Sequence, residues 1–416
     1  MRTVAGRSAA LLAATALVLT GCGQGGPGGG GGKVSGGKVV LGVLNDQSGV
    51  YADLSGKNSV EAVKMAVADF KKKHPDSAVN DIEVISADHQ NKPDVANAKA
   101  AELYDRQQAD IILDVPTSSA ALAVANVANQ KKKLHINVSA ATTELTGKSC
   151  NKYTFHYGFD THMLAFGTGE TLTRQGAKNW YIVYPDYAYG QDMNKSFTAA
   201  ITQAGGKVVR SDPAPFPNDN FSTFLLKAPK LNPKPDVIGT MQAGGDLVNL
   251  VKQYNEFKLA DQGVGLAVGL MFITDIHSLG VEAFSGVTFT DAWYWNFDEK
   301  NREWADRFKA KTGIRPSFLH AGNYSAALQY LEAVQRAGTD DSEAVADELR
   351  GHEFNDVFAR NGKIRAEDNL LVHDVYLAKV QDSSEVTEEW DYEEIIATIP
   401  GEEAFGKVED TECRMR

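Results

Sequence analysis

A row of hydroxyl side chains follows a short apolar run in the segment DVPTSSAALAVANVA, residues 114–128. The run ends at Pro116, and Thr117, Ser118 and Ser119 precede an alanine-rich stretch that predicts a helix. Two interpretations fit hydroxyls at this place. They cap the free backbone N–H groups of the helix, or those N–H groups and hydroxyls together bind the oxygen atoms of an anionic ligand.

Three short motifs resemble parts of enzyme active sites, but each lacks a required element. TGKS at 146–149 resembles the end of a phosphate-binding loop, yet Thr142 stands where such a loop needs its upstream glycine. Ser149 and Lys152 have the spacing of a serine acyl-enzyme, but no Ser-Asp-Asn accompanies them. The histidines show no zinc-binding spacing. We therefore expect a protein that is not an enzyme and carries no metal or cofactor.

The charge balance argues against nucleic acid as a partner. The 416 residues include 42 Lys and Arg but 54 Asp and Glu, which gives a formal net charge of −12. An acidic surface without a polybasic block repels a phosphate backbone. We expect no nucleic-acid binding, and we expect the protein to be a monomer.

The N-terminal residues predict export and a lipid anchor. Two arginines, an apolar stretch and then Leu19-Thr20-Gly21-Cys22 resemble a bacterial lipoprotein signal, with residues 1–21 removed and Cys22 acylated. An ordinary signal peptide with an incidental cysteine is the alternative. Residues 22–37 are rich in glycine and predict a flexible tether. The body of the protein is then expected outside the cytoplasm, held at the membrane.

Two further cysteines, Cys150 and Cys413, lie far apart in the sequence. In an exported protein we expect them to form a disulfide that fixes the C-terminal segment to the middle of the chain. Two free thiols are the alternative.

Strand and helix patterns alternate from residue 38 onward. KVVLGVLND (38–46) predicts a strand, and a helix is expected from about Asn58. The predicted strands are nearly continuous apolar runs, which is typical of parallel sheets covered on both faces. A second set of such elements begins with NWYIVYPD, and the division lies near Tyr157. We expect an α/β protein with two compact units.

Several stretches in a fixed order resemble a known family. They are GVLNDQSGVYADLSG, DVPTSSAALAVANVA, NVSAATTELTG, PDYAYGQDM, MQAGGDLVNLVKQ and NYSAALQYLEAVQRAG. Together they resemble the substrate-binding lipoproteins of bacterial ABC importers of the branched-chain amino acid (leucine/isoleucine/valine) type. Other pieces, including CNKYTFHYGFDTHMLAFGTG and DAWYW, resemble family members associated with aromatic and other non-standard carboxylates.

The resemblance implies two doubly wound parallel-sheet lobes, joined by three crossovers, with a ligand cleft between them. Residues 38–157 and 293–371 would form lobe 1, and residues 158–292 and 372–416 lobe 2. Hinges are expected near Tyr157, near Asp291 and after Leu371. The implied function is capture of a small carboxylate by lobe closure and its delivery to an ABC permease. A membrane-anchored receptor domain that senses a ligand in the same cleft is an alternative.

The resemblance also implies binding residues. Ser118 matches the serine that holds the ligand carboxylate, and the turn from Ala140 to Thr142 matches the second carboxylate-binding segment. SAATTELT is one residue shorter than the usual turn, so Thr143 has no assigned role. The expected residues of the pocket for the rest of the ligand are Tyr51, Pro116, Thr117, Tyr157, Tyr189 and Trp293.

The sequence leaves the ligand class open. An α-amino acid needs an acidic partner for its ammonium group, and Asp160, Asp186 and Asp291 are candidates. An aromatic acid needs a flat apolar slot instead, for which Tyr157, Trp293 and Trp295 are candidates.

Overall fold

The computed structural model describes residues 34–415, so the predicted signal peptide, Cys22 and most of the predicted tether lie outside the described residues. Within the described range no helix is both long and apolar enough to cross a membrane.

Lobe 1 is built on a parallel sheet that helices cover on both faces. Val39, Leu41 and Val43 of its first strand pack on one face and Val40 and Leu44 on the other. This two-sided burial explains the continuous apolar runs. In spatial order 2-1-3-4-5, the strands are β1 (Val39–Asn45), β2 (Ile82–Asp88), β3 (Ile111–Asp114), β4 (Leu134–Asn137) and β5 (Thr154–His156), with helices α1 (Gly56–Lys73), α2 (Pro93–Asp105) and α3 (Ser118–Lys131) between them.

Lobe 2 repeats this arrangement with four parallel strands. It begins with two short helices, α4 (Thr161–Leu164) and α5 (Thr171–Arg174), joined by a π-helical turn at Ala165–Glu170. The elements that follow, with the strands in spatial order 7-6-8-9, are β6 (Asn179–Pro185), α6 (Ala188–Gln203), β7 (Lys207–Ala214), α7 (Ser222–Leu225), β8 (Val237–Thr240), α8 (Gly245–Glu256), β9 (Gly265–Val268) and α9 (Ile273–Leu279).

The rest of the chain returns to both lobes. α1 packs against the long helix of this part, which is buried along most of its length and completes lobe 1. Three antiparallel strands form a sheet of their own, in spatial order 10-14-15. The elements are β10 (Thr288–Asp291), α10 (Glu299–Thr312), α11 (Phe318–Ala337), α12 (Ser342–Leu349), β11 (Glu353–Phe354), β12 (Gly362–Ile364), β13 (Leu371–Val372), β14 (Val375–Val380), β15 (Glu393–Ile399) and α13 (Gly401–Ala404).

Three connections join the lobes, between β5 and α4, between β10 and α10, and between β13 and β14. The predicted fold class of two α/β lobes with three crossovers is confirmed. Cys150 and Cys413 form a disulfide with their Cα atoms 5.5 Å apart. This bond ties the C-terminal segment to the loop between β4 and β5.

Two details differ from the sequence prediction. The apolar run GVTFTDAWYW predicts a strand that reaches Trp295, but β10 ends at Asp291, and Trp293 and Trp295 lie in the loop that follows. The sequence EEIIATI predicts no strand, whereas the structure has β15 there. Most of its residues are exposed or half-buried at a sheet edge, so EEIIATI carries no clear buried pattern.

Candidate functional site

A small cavity lies between the two lobes, and we call it the ligand cavity. Its free volume is about 20 Å³, which is room for about one water molecule. A larger ligand therefore requires the lobes to part or the lining side chains to move. The lining residues are Tyr51, Leu54, Pro116, Ser139, Ala141, Phe159, Tyr187, Tyr189, Ala243, Leu270, Phe272 and Leu319.

Almost all of these residues follow the carboxyl end of a parallel strand. In lobe 1, Pro116 follows β3 and Ala141 follows β4, whereas in lobe 2 Tyr189 follows β6 and Ala243 follows β8. Open α/β sheets bind ligands at this edge. The cavity therefore lies between the loops that follow the carboxyl ends of the strands in the two sheets.

The backbone is strained just before the predicted carboxylate site. Asp114 has φ of 80° and Val115 has φ of 59°, and a β-branched residue rarely adopts such values. The side-chain amide of Asn137 donates to the carbonyl oxygens of Asp114 (2.9 Å) and Val115 (3.0 Å) and holds this turn. Strain maintained by specific contacts is typical of functional sites.

The Asp114 carboxyl group is buried beneath this turn. It accepts hydrogen bonds from the amide of Asn45 (2.9 Å) and the hydroxyl of Ser139. Burial raises its pKa above the ordinary value, although these hydrogen bonds act in the opposite direction. Ser139 lines the ligand cavity, so this network connects the cavity wall to the strained turn.

The hydroxyls at the start of α3 do not cap the helix. Thr117 is its N-cap residue but makes no capping hydrogen bond, because its hydroxyl donates to the side-chain oxygen of Asn91. The hydroxyl of Ser118 is buried and has no hydrogen-bond partner in the described part of the chain. A buried polar group without a partner costs free energy. Ser118, Ala140 and Thr142 are not among the residues that line the ligand cavity.

The turn after β4 supplies further donors. The N–H of Ala140 donates to the side-chain oxygen of Asn137 at 3.1 Å. Within residues 34–415, the N–H groups of Ala141 and Thr142 have no acceptor. The hydroxyl of Thr142 donates to Asp192 of lobe 2 at 3.2 Å. β3 and β4 are neighbours, so the free N–H groups and Ser118 belong to adjacent turns.

Two contacts close the cavity across the lobes. The hydroxyl oxygens of Tyr51 and Tyr187 lie 2.7 Å apart and form a hydrogen bond. Gly244 of lobe 2, with φ of 58°, approaches the Val50 carbonyl so closely that a Cβ atom there would lie 2.9 Å from the oxygen. The structure is therefore that of a closed cleft.

Some predicted pocket residues lie elsewhere. Tyr157 is buried inside lobe 1, where its hydroxyl pairs with Ser325 at 2.6 Å. Trp293 donates its indole N–H to the Val357 carbonyl at 2.7 Å and packs edge-to-face on Trp304. Neither side chain lines the ligand cavity, and Thr117, the third predicted pocket residue outside the lining, contacts Asn91 instead. The Tyr157 hydroxyl and the Trp293 indole N–H each have a hydrogen-bond partner within the protein, so both side chains can be buried away from the cavity.

The three candidate partners for an ammonium group also lie outside the lining. Asp160 caps α4 by accepting the N–H of Met163 at 2.8 Å. Asp291 accepts the N–H of Trp293 at 3.0 Å, and Asp186 is exposed. No acidic or basic side chain is among the residues that line the cavity.

Sequence reasoning identified Tyr51, Pro116 and Tyr189 of the lining but missed most of the apolar wall. Two of the missed residues, Leu270 and Phe272 of lobe 2, lie just after β9. The stretch MFITDIHSLG, which contains Phe272, also resembles the family members associated with aromatic and other non-standard carboxylates, but that resemblance assigns no role to its residues. The other missed residues are Leu54, Ser139, Phe159, Tyr187, Ala243 and Leu319, while Ala141 lies inside the predicted turn.

A larger groove of about 770 Å³ lies beside α6 and the C-terminal segment. Some of its charged groups pair with each other, Lys148 with Glu144 at 2.7 Å and Arg365 with Asp368. Among residues 34–415, no cluster of three or more His, Cys, Asp or Glu side chains is arranged to hold a metal ion.

Comparison with known proteins agrees with this geometry. A family model described as periplasmic binding protein matches residues 38–385. A Leu/Ile/Val-binding protein homolog 6 from Brucella melitensis is 26% identical over 357 residues, which cover 84% of this chain and 89% of the relative.

Two solved structures are also similar. A periplasmic binding protein from Burkholderia mallei is 42% identical, with a TM-score of 0.87 and coverage of 91% of this chain and 99% of the other. A branched-chain amino acid ABC transporter periplasmic ligand-binding protein from Burkholderia xenovorans is 36% identical, with a TM-score of 0.80 and coverage of 91% and 100%. The chain therefore belongs to the periplasmic binding protein family, as a ligand-binding protein of the ABC-transporter type.

Proposed function

We propose that this protein captures a small carboxylate with an uncharged, largely apolar or aromatic body, and delivers it to an ABC permease. The observation that carries the ligand class is the lining of the cavity, in which aromatic side chains and no charged side chain meet. The α-ammonium group of an amino acid would enter this lining without a carboxylate partner, which is costly in a water-excluding site.

The carboxylate end of the ligand would bind the free donors of lobe 1. These are the Ser118 hydroxyl and the N–H groups of Ala141 and Thr142. Ser118 is also the first residue of α3, where the helix dipole favours negative charge. Such donors stabilise an anion locally even in a protein with a net charge of −12.

The body of the ligand would lie against Tyr51 of lobe 1, Phe159 of the connection between β5 and α4, and Tyr187, Tyr189 and Phe272 of lobe 2. The Tyr189 hydroxyl is buried without a partner among the described residues. A polar substituent on the ligand would form a hydrogen bond with this hydroxyl.

A thermal-shift panel tests this function. Benzoate, 4-hydroxybenzoate and 3-phenylpropanoate should raise the melting temperature, whereas L-leucine and L-phenylalanine should raise it less. A ligand at 100 times its Kd stabilises the folded protein by about 2.7 kcal/mol. Recovery of the ligand unchanged separates binding from turnover. A shift with amino acids alone would overturn the proposed ligand class.

We further propose that Cys22 carries a lipid anchor and that the glycine-rich segment holds the two lobes away from the membrane. The basis is the sequence at residues 1–37. Cys22→Ala should move the protein from the membrane fraction to the soluble fraction outside the cytoplasm. Retention of the variant in the membrane fraction would contradict the anchor.

A further inference from the structure

We propose that Asp192 is a positioning residue that couples closure of the lobes to the shape of the carboxylate-binding turn at Ala140–Thr142. The inference rests on the proposed function, since it concerns how the same site is assembled. Asp192 lies on α6 of lobe 2, whereas the turn belongs to lobe 1.

The Asp192 carboxylate gathers donors from both lobes. From lobe 1 it accepts the backbone N–H of Thr143 at 2.7 Å, the Thr143 hydroxyl at 2.9 Å and the Thr142 hydroxyl at 3.2 Å. From lobe 2 it accepts the hydroxyl of Thr161 at 2.8 Å. Hydrogen bonds to an ionised acceptor are stronger than neutral ones, and Asp192 is only 9% exposed. The carboxylate is therefore a link of three hydrogen bonds between the lobes.

These contacts decide which groups of the turn remain free. A threonine hydroxyl has a single hydrogen to donate. Because Thr142 gives its hydrogen to Asp192, the hydroxyl is not a donor to the ligand, and the N–H groups of Ala141 and Thr142 take that role. Thr143, for which the sequence offered no role, holds the turn through both its N–H and its hydroxyl.

The coupling follows from where the donors lie. When the lobes part, Asp192 moves away with Thr161, and the turn loses the acceptor that fixes Thr142 and Thr143. When the lobes close, the same carboxylate restores the turn. Ligand release should therefore be slow while the link is intact and faster when it is broken.

The test compares Asp192→Asn and Thr143→Val with the parent, using 3-phenylpropanoate and benzoate as probes. Asp186→Asn is the matched control, because it removes the same charge from an exposed position just before α6. We expect both test variants to bind 10- to 100-fold more weakly through a faster dissociation rate, with the control unchanged. The double variant should lose little more than either single variant, because both remove the same link.

A second readout does not depend on the ligand. A dye pair at the exposed positions Lys57→Cys of lobe 1 and Lys252→Cys of lobe 2 reports the distance between the lobes. Asp192→Asn should shift this distance toward longer values. If the parent binds neither probe, the proposed ligand class fails while the distance still tests the link. If a probe binds, an affinity of Asp192→Asn equal to that of the parent would overturn the role of Asp192. If neither probe binds, an unchanged distance distribution would overturn it.

Discussion

The side-chain amide nitrogen of Asn137 lies 3.0 Å from the backbone carbonyl oxygen of Val115 and 2.9 Å from that of Asp114. Its side-chain oxygen accepts the N–H of Ala140 at 3.1 Å. One buried side chain at the end of β4 therefore holds both turns that are proposed to bind the ligand carboxylate.

Replacing the Asn137 side chain should lower both the stability of the protein and its affinity for the ligand. Asn137→Leu keeps a similar volume but leaves two carbonyls and one N–H without their partner. At about 0.5–1.5 kcal/mol for each lost hydrogen bond, we expect the free energy of unfolding to fall by about 2–4 kcal/mol. Urea unfolding measures this loss, and calorimetry on the folded variant should show weaker binding of 3-phenylpropanoate.

The control for Asn137 is Asn301→Leu. Asn301 is also fully buried and donates to the Tyr294 carbonyl at 2.9 Å, but it lies on α10, and it is not among the residues that line the cavity. This variant should lose stability and keep its affinity. Equal affinity in both variants would show that Asn137 supports the fold alone.

Ser118→Ala separates binding from helix capping. The Ser118 hydroxyl should donate to the charged carboxylate, an interaction worth about 1.5–3 kcal/mol, so Kd should rise roughly 10- to 150-fold. Stability without ligand should change little, because the hydroxyl has no partner in the described part of the chain. Ser119→Ala is the neighbouring control. A clear loss of stability with intact affinity would assign Ser118 to the fold.

The positions that the sequence identified share one property. β3 and α3 are consecutive in the chain, so the turn that contains Pro116 and Ser118 is defined locally by the end of a strand and the start of a helix. The same holds for Tyr189 at the start of α6. Such residues are visible in a sequence because a single α/β unit places them.

The rest of the cavity depends on how distant segments meet. Phe272 and Leu319 form one wall only because the lobes pack together, and no local pattern reports that. Trp293 looked like a cleft residue, but its acceptor is the carbonyl of Val357, 64 residues away. The hydrogen bond between Thr143 and Asp192 joins opposite lobes, so no local sequence pattern predicts it either.

A buried carboxyl group of lobe 2 makes stability depend on pH. Burial raises the pKa of Asp275 from its ordinary value of 3.8 to about 7. A carboxyl with a raised pKa in the folded state contributes stability that is present below about pH 4 and is lost as pH rises through 7. Asp275→Asn cannot ionise and keeps an acceptor for the N–H of Phe272.

We therefore expect Asp275→Asn and the parent to have similar stability near pH 4, and the variant to be more stable at pH 8 by about 1 kcal/mol or more. Chemical unfolding at the two pH values measures the difference. A constant difference across this range would show that Asp275 does not titrate there.

Removing the disulfide should lower the stability of the whole protein. Cys150 and Cys413 are separated by 263 positions, and closing a loop of this length restricts the unfolded chain by up to about 5 kcal/mol in the chain-entropy model. Cys150→Ser with Cys413→Ser should unfold at a lower urea concentration than the oxidised parent. The reduced parent is the control and should resemble the variant. Unfolding of the variant at the parent's midpoint would contradict this contribution.

The proposed ligand class requires a cavity that accepts a carboxylate and has no partner for an α-ammonium group. Calorimetry with 3-phenylpropanoate and L-phenylalanine tests it most directly, because the two ligands share a skeleton and differ only in that group. We expect 3-phenylpropanoate to bind at least 10-fold more tightly than L-phenylalanine, and 4-methylpentanoate to bind more tightly than L-leucine by a similar factor. Tighter binding of the two amino acids than of their deaminated partners would contradict it.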